Sequence, residues 1–348
     1  MARKTIDDVA ALAGVSIKTV SRVMNNEPNV RPETRDRVRE AMAALDYQPS
    51  LHARSLAGRR SKLVGLVYDN PSASYVMDVQ SGAMTRCRAE GYRLFIQPCN
   101  DMGEDAVAEV LAMVEQTHVD GLVIAPPMSG NAKLLRALER RNVTFVCIAP
   151  DDQARATLSV MMDDEAAARE MTAYLVGLGH RDIGFIAGHP EHVSSRQRLQ
   201  GFQKEMESRG LKIREAWMAH GFNTVASGAE AGRQMLSKRD RPTAIFASND
   251  DMAAGVLMAA HELGVSVPGD LSVSGFDDTQ LASVVWPSLT TVRQPSCDMA
   301  HAAVGLLIDR LAGKKTASVV QLAYDMVVRG STAALPAAVK RRAPRAAG

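Results

Sequence analysis

Apolar positions repeat along this chain with two different periods, and the change from one to the other falls near residue 62. Before it the spacing is helical. In TIDDVAALAGVSIKTVSRVMNN, Val9, Val15, Val20 and Val23 supply the buried side of two short helices joined by a tight turn. Thr5 can cap the first helix, with Asp8 three positions on completing a capping-box-like pair. Ala10 is small enough for close helix contact, Gly14 suits a left-handed turn residue, and Ser16 can cap the second helix. A third helix is expected over RPETRDRVREAMAALDY, with Pro32 in its first turn and Val38, Met42 and Leu45 as its apolar stripe; Pro49 ends the unit. From Leu63 the texture changes. Short β-rich runs (LVGLV, YRLFIQ, DGLVIA, TFVCI) alternate with helical stretches, and the rhythm returns after Gly179 in RDIGFIAG, TAIFAS and DLSVSGF. Such alternation predicts an α/β fold of parallel sheets with helices on both faces.

The first two helices have the pattern of a helix-turn-helix whose second member lies in the DNA major groove, although a small helical hairpin packed in a core shares that pattern. Charge separates the two. Residues 1–62 hold 12 Lys/Arg against 7 Asp/Glu, a net of +5, whereas the whole chain is only +2. With Lys340, Arg341, Arg342 and Arg345 of the tail set aside, residues 63–339 carry −7. A basic head on an acidic body fits a polyanion met at one end. On the second helix, Ile17, Lys18 and Arg22 are directed toward base edges. Lys18 and Arg22 can donate to guanine O6 and N7, and Ile17 can meet a thymine methyl. Ser16, Thr19, Ser21 and Asn25 suit phosphate or capping contacts, and Thr5 is expected to contact DNA as well.

The strings VSIKTVSRVMNN and NVRPETRDRVREAMAALDYQPSLHARSLAGRRS resemble the headpiece of the LacI/GalR family of bacterial transcription regulators. GLGHRDIGFIAGHP, FASNDDMAAGVLMAAHELGVSVPGDLSVSGFDD and PSLTTVRQP resemble that family's effector-binding core, in the same order, so the likeness covers nearly the whole chain. It implies a helix-turn-helix headpiece over 1–49 and a hinge helix or linker over 50–62. A bilobed, periplasmic-binding-protein-like core of two doubly wound parallel sheets would follow over 63–335. One lobe would hold 63–162 with 292–320, the other 163–291 with 321–335. The tail 336–348 is rich in Ala, Pro and Arg and reads as disordered on composition. LHARSLAG is too short to be a stable isolated helix; the resemblance gives it help from the operator and the partner's matching segment, with Ala53 and Leu56 as DNA contacts and Leu56 wedged into the minor groove. Ile17–Lys18 differs from the Tyr-Gln pair of the lactose repressor, so a different operator is expected.

Arg198, Asn249 and Asp277 coincide with ligand-contacting positions of the family, and Arg, Asn and Asp suit paired hydroxyls. Asn249 and Asp277 follow strands, at the carboxyl ends where open α/β sheets bind ligands. Asp69 and Tyr75 fall at similar mouth positions in the first lobe; Asp250 and Asp278 read as caps. Two departures bear on the ligand. Where many relatives place an aromatic ring, GFNTVASG has Asn223, with Phe222 one residue earlier, so Asn223 is expected to hydrogen-bond the ligand instead; the first-lobe Asp of the lactose repressor appears as Ala149, with Asp151 and Asp152 slightly later.

The expectation is a cytoplasmic, homodimeric repressor controlled by a sugar or oligosaccharide, binding palindromic double-stranded DNA, with no cofactor or metal and no membrane partner. A purine- or nucleoside-responsive regulator is the alternative within the family. A carbohydrate-binding transport protein is opposed by the lack of an export signal at MARKTIDD and by the basic headpiece. A glycosidase is opposed by the geometry of adjacent acids on one strand end, and GxSxG, HExxH and GxxxxGK[ST] strings are absent. Cys87, Cys99, Cys147 and Cys297 are scattered and read as reduced thiols.

Overall fold

The computed structural model describes residues 4–24, 27–47, 60–99, 103–151, 158–190 and 192–335. Asn25, Pro49, the segment LHARSLAG with Ala53 and Leu56, Asp152 and the tail 336–348 lie outside these, so the expectations placed on them have no structural counterpart. The described residues fall into two compact units, Met1–Leu63 with His118–Asp120, and the remainder.

The smaller unit contains α1 (Ile6–Ala13), α2 (Ile17–Met24) and α3 (Pro32–Ala44). Thr5 and Asp8 form a reciprocal capping box: the Thr5 backbone N–H donates to Asp8 Oδ2 at 2.8 Å, and Asp8 N–H donates to Thr5 Oγ1 at 3.4 Å. That backbone donor holds the Asp8 carboxyl below its usual range. Gly14 ends α1 at φ 63°, where its N–H and that of Val15 turn back onto the carbonyls of Ala11 and Ala10. Ser16 Oγ accepts from Thr19 N–H at 3.2 Å and so caps α2. Val9, Val20 and Val38, one from each helix, are fully buried together with Ala10, Ala13, Val23, Ala41 and Tyr47.

The larger unit is built on two sheets. The first has the order β11-β5-β4-β3-β1-β2, from Val319–Gln321, Leu158–Met161, Phe145–Ile148, Gly121–Ile124, Leu63–Tyr68 and Arg93–Pro98. The second has the order β7-β6-β8-β9, from Met218–His220, Ile183–Ala187, Ala244–Ala247 and Ser272–Ser274. Registered pairs in both are parallel. Residues of β6 alternate between two cores: Ile183, Phe185 and Ala187 join one apolar cluster, and Ile186 the other. A sheet covered on both faces requires this. The helices between strands are α4 (Ala73–Ala89), α5 (Glu104–Thr117), α6 (Ala132–Arg140), α7 (Asp164–Gly177), α8 (Val193–Ser208), α9 (Val225–Leu236), α10 (Asp250–Glu262), α11 (Gln280–Val284) and α12 (Ser296–Leu311).

The seven runs read from sequence all contain strands. The structure adds β5, β7 and β11, which run three or four residues and carry little periodic signal. It also adds an antiparallel ribbon in which β10 (Thr291–Arg293) pairs with β12 (Asp325–Val327), so the sheets are not the whole of the β structure. The chain passes from the first sheet to the second between β5 and α7 and returns after β10 to α12, which packs on α4, β3, β4 and β5. Leu322 N–H still donates to Met161 O, and by β12 the chain has left the first sheet again. Among the described residues no helix is long and apolar enough to cross a membrane.

Candidate nucleic-acid interface and ligand cleft

Within the small unit, α2 presents two faces. Val20 and Val23 point into the core, while Lys18 and Arg22 are exposed and Ile17 is 47% exposed. Positions 17, 18, 21 and 22 share one side of a 3.6-residue helix, which is the arrangement a groove-reading helix needs. Ser21 and Thr19 are half-buried, Ser16 is exposed, and the Ser16 and Thr19 hydroxyls lie 2.9 Å apart. Arg22 meets Glu27 at 3.5 Å with both side chains near half exposure, a contact weak enough to release the guanidinium.

The larger unit holds a cleft between its two lobes. From the first sheet come Asn70 after β1, Ser72 and Tyr75 at the start of α4, Pro126 after β3, and Ala149 after β4. From the second come His192, Ser194, Ser195 and Arg198 after β6, Asn223 after β7, Asn249 after β8 and Asp277 after β9; Gln294 joins from the crossing strand. Each sheet thus contributes the carboxyl ends of its strands, where loops leave the sheet.

Arg198, 6% exposed, organises the floor. Its Nε donates to Asp164 Oδ1 at 2.8 Å, Nη1 to Ser248 O at 2.6 Å and Asp277 Oδ1 at 3.3 Å, and Nη2 to Gln294 Oε1 at 2.8 Å. The guanidinium carbon also lies 3.5 Å from the centre of the Phe276 ring. A planar cation held on its edge and its face has little freedom left. Buried Tyr75 presents a hydroxyl with no hydrogen-bond partner among the described residues. Asn223, at φ 58°, donates from Nδ2 to His192 Nδ1 at 3.2 Å. Since an amide nitrogen only donates, the imidazole proton sits on Nε2. Burial, with His189 and Arg198 nearby, pushes His192 down to about 4, so it is neutral.

Two contacts join the lobes beside the cleft. Ser72 Oγ donates to Asp251 Oδ2 at 2.6 Å, and Arg196 Nη2 to Asp151 Oδ2 at 2.9 Å.

Of the residues expected from sequence, Tyr75, Arg198, Asn223, Asn249 and Asp277 converge here and Asp69 does not; Asn70 lines the cleft instead. Asn249 is also the N-cap of α10, its Oδ1 accepting from Met252 N–H at 2.9 Å, while Nδ2 donates to Asn223 O at 3.3 Å. The reading of Asp250 and Asp278 as caps is corrected. Asp250 is fully buried and accepts from Thr279 N–H and the Thr291 hydroxyl, tying α10 to the crossing strand. Asp278 pairs with Arg293 and Arg329. Asn70, Ser72, His192, Ser194, Ser195 and Gln294 were not anticipated. Gln294 stands in PSLTTVRQP, but only its bond to Arg198 marks it.

Burial drives the Asp277 carboxyl up to about 7, against the pull of Arg198 and with Asp251 and Asp164 adding to the rise. A carboxyl whose folded-state value is raised holds more protons folded than unfolded. Its stabilisation is therefore full below about pH 4 and is lost as pH rises through 7. His192 acts in the opposite sense below its usual value, so the contribution is isolated by difference. The melting-temperature advantage of the parent over Asp277→Asn is expected to shrink steadily from pH 5 to pH 8. A difference that stays flat over that range assigns no ionisation to Asp277.

Residues 5–50 match the family model of bacterial regulatory proteins, lacI family, and residues 172–332 that of the periplasmic binding protein-like domain. The chain is 34% identical over 333 residues to catabolite control protein A of Priestia megaterium, covering 94% of this chain and 99% of that protein. It is 38% identical over 334 residues to the HTH-type transcriptional repressor PurR of Proteus mirabilis (strain HI4320), covering 94% and 97%. The chain belongs to the LacI family. Among solved structures, this LacI-family chain superposes on a lac repressor dimer bound to operator and the anti-inducer ONPF with a TM-score of 0.86, at 31% identity over 96% of this chain and all of that one. It also matches the transcriptional regulator CelR in complex with cellobiose, with a TM-score of 0.73 at 29% identity over 94% of this chain and 100% of that one. It is a DNA-binding transcriptional regulator with the two-lobed core of parallel sheets that the family carries.

Proposed function

We propose that this LacI-family protein is a dimeric repressor whose grip on a palindromic operator is set by a carbohydrate held in the interlobe cleft. The cleft chemistry carries the reading. Arg198, Asp277 and Gln294 form a fixed fork of donors and acceptors, and Tyr75 adds an unpartnered hydroxyl. A ligand rich in vicinal hydroxyl groups satisfies such a set. The CelR–cellobiose complex, similar over nearly the whole chain, lends support. Asp277 and Arg198 provide opposite charges, which favours a neutral ligand over an anion.

A purine or nucleoside is the second reading, because the Tyr75 ring is a flat surface and the fork could also hold a heterocycle edge. Thermal-shift screening of mono- and disaccharides beside hypoxanthine and guanine separates the two, since a ligand that binds only the folded state raises the melting temperature. Stabilisation by bases alone would overturn the carbohydrate reading. Ligand and operator are further expected to alter each other's affinity by one common factor.

On the DNA side, Ile17, Lys18 and Arg22 are proposed to read bases, with Thr5, Ser16, Thr19 and Ser21 positioning the helix on phosphates. Lys18→Ala is expected to cost about 1–3 kcal/mol and to relax preference at one position per half-site. Selection of bound sequences from a randomised duplex measures this, and an unchanged preference removes Lys18 from base reading.

A further inference from the structure

Beside the cleft a second aromatic feature is built on the loop after β7. Phe222 is 57% exposed, yet its backbone is held firmly. Gly221 N–H donates to Ala187 O at 2.7 Å, Phe222 N–H to Ser227 Oγ at 2.9 Å, and Asn223 O accepts from Asn249 Nδ2 at 3.3 Å. The left-handed backbone at Asn223 lets consecutive residues diverge: Asn223 is buried and lines the cleft, while Phe222 faces solvent. Phe222 is not isolated there. Its ring centre lies 5.7 Å from that of His189, which lies 5.3 Å from His192, a lining residue. Three rings therefore run from the cleft wall to the exposed rim, and the innermost is neutral.

We infer that Phe222 and His189 form a rim subsite for a second sugar ring, so that the effector is a disaccharide or other glycoside with one unit in the cleft and the next against this aromatic surface. The inference rests on the carbohydrate reading and narrows its ligand class. The cleft floor offers hydrogen-bonding groups and suits the hydroxyl edge of one unit. The rim offers ring faces and edges, which suit the apolar C–H face of a sugar. With its backbone already held, Phe222 has only two side-chain torsions left to freeze when a ligand stacks on it.

Calorimetric titration of the full chain tests this, with glucose, galactose, cellobiose, lactose and maltose as probes and with Phe222→Ala and Phe222→Trp as variants. The best disaccharide is expected to bind the parent more tightly than its constituent hexoses. Phe222→Ala should weaken that disaccharide by about 3- to 10-fold, the range of a single aromatic contact, and leave hexose affinity unchanged; Phe222→Trp should restore it. Because the side chain is exposed, an unaltered melting temperature verifies folding. Equal losses for hexose and disaccharide, or no loss for either, overturn the rim subsite while the carbohydrate reading stands. If no saccharide binds the parent at all, the carbohydrate reading falls and the subsite falls with it.

Discussion

Replacing Val20 by Asp is expected to abolish binding to duplex DNA while leaving the melting transition of the larger unit in place. Val20 is fully buried against Val9 and Val38, and the cluster around them has only eight buried members. A unit of this size retains a small margin of stability. A carboxylate at position 20 would lie among apolar side chains, and burial of an unpaired charge costs several kcal/mol. That exceeds what so small a core can absorb, so α2 loses the platform that aims it. At about 1.4 kcal/mol per tenfold, a loss on the order of 100-fold or more is expected in a gel shift at low salt, where non-specific contacts are strongest. Calorimetry should still show the main transition. Retained DNA binding with full affinity would mean that α1, α2 and α3 are not the unit that grips the duplex.

The second large effect is expected at Arg198. In Arg198→Leu the volume is largely kept but Asp164 and Asp277 lose their shared cation, and Ser248 O and Gln294 Oε1 lose their donors. Removing one partner of a buried ion pair costs about 3–5 kcal/mol, because the charge left behind is desolvated and unpaired. A fall in melting temperature on the order of 10 °C is expected, with loss of any ligand-induced shift. The defect should lessen as pH falls, since protonating Asp277 and Asp164, both already raised by burial, removes the charge that lacks a partner. Adding Asp164→Asn and Asp277→Asn to Arg198→Leu should recover part of the stability, a non-additivity expected of groups in one network. If Arg198→Leu melts like the parent at every pH, the guanidinium is not what holds the two carboxylates.

Much of the headpiece was legible because its signals are local. Thr5 and Asp8, Gly14, Ser16 and Pro32 each act on the backbone within four residues, and the Val9–Val20–Val38 core follows from helical spacing. The strand–helix rhythm of the larger unit was legible for the same reason. Of the cleft lining, Tyr75, Arg198, Asn223, Asn249 and Asp277 were reached through resemblance and strand ends, and Asn70, the neighbour of Asp69, was not. Asn249 carried two meanings at once, helix cap and cleft lining, and its sequence context does not separate them.

The chain alone determined the periods, the caps of the first two helices, the split between a basic head and an acidic body, and the family, since each depends on neighbours in sequence or on collinear motifs. Tertiary structure decided which side chains face one another. The cleft draws on residues 70, 126, 149, 192, 223, 249, 277 and 294, brought together only when two sheets present the ends of their strands to each other. Charge, burial and hydrogen bonding at Arg198 and Asp277 arise from partners tens to more than a hundred residues away. Interactions of that separation leave no period in the sequence, so the chemistry of the site becomes readable only after the fold has closed around it.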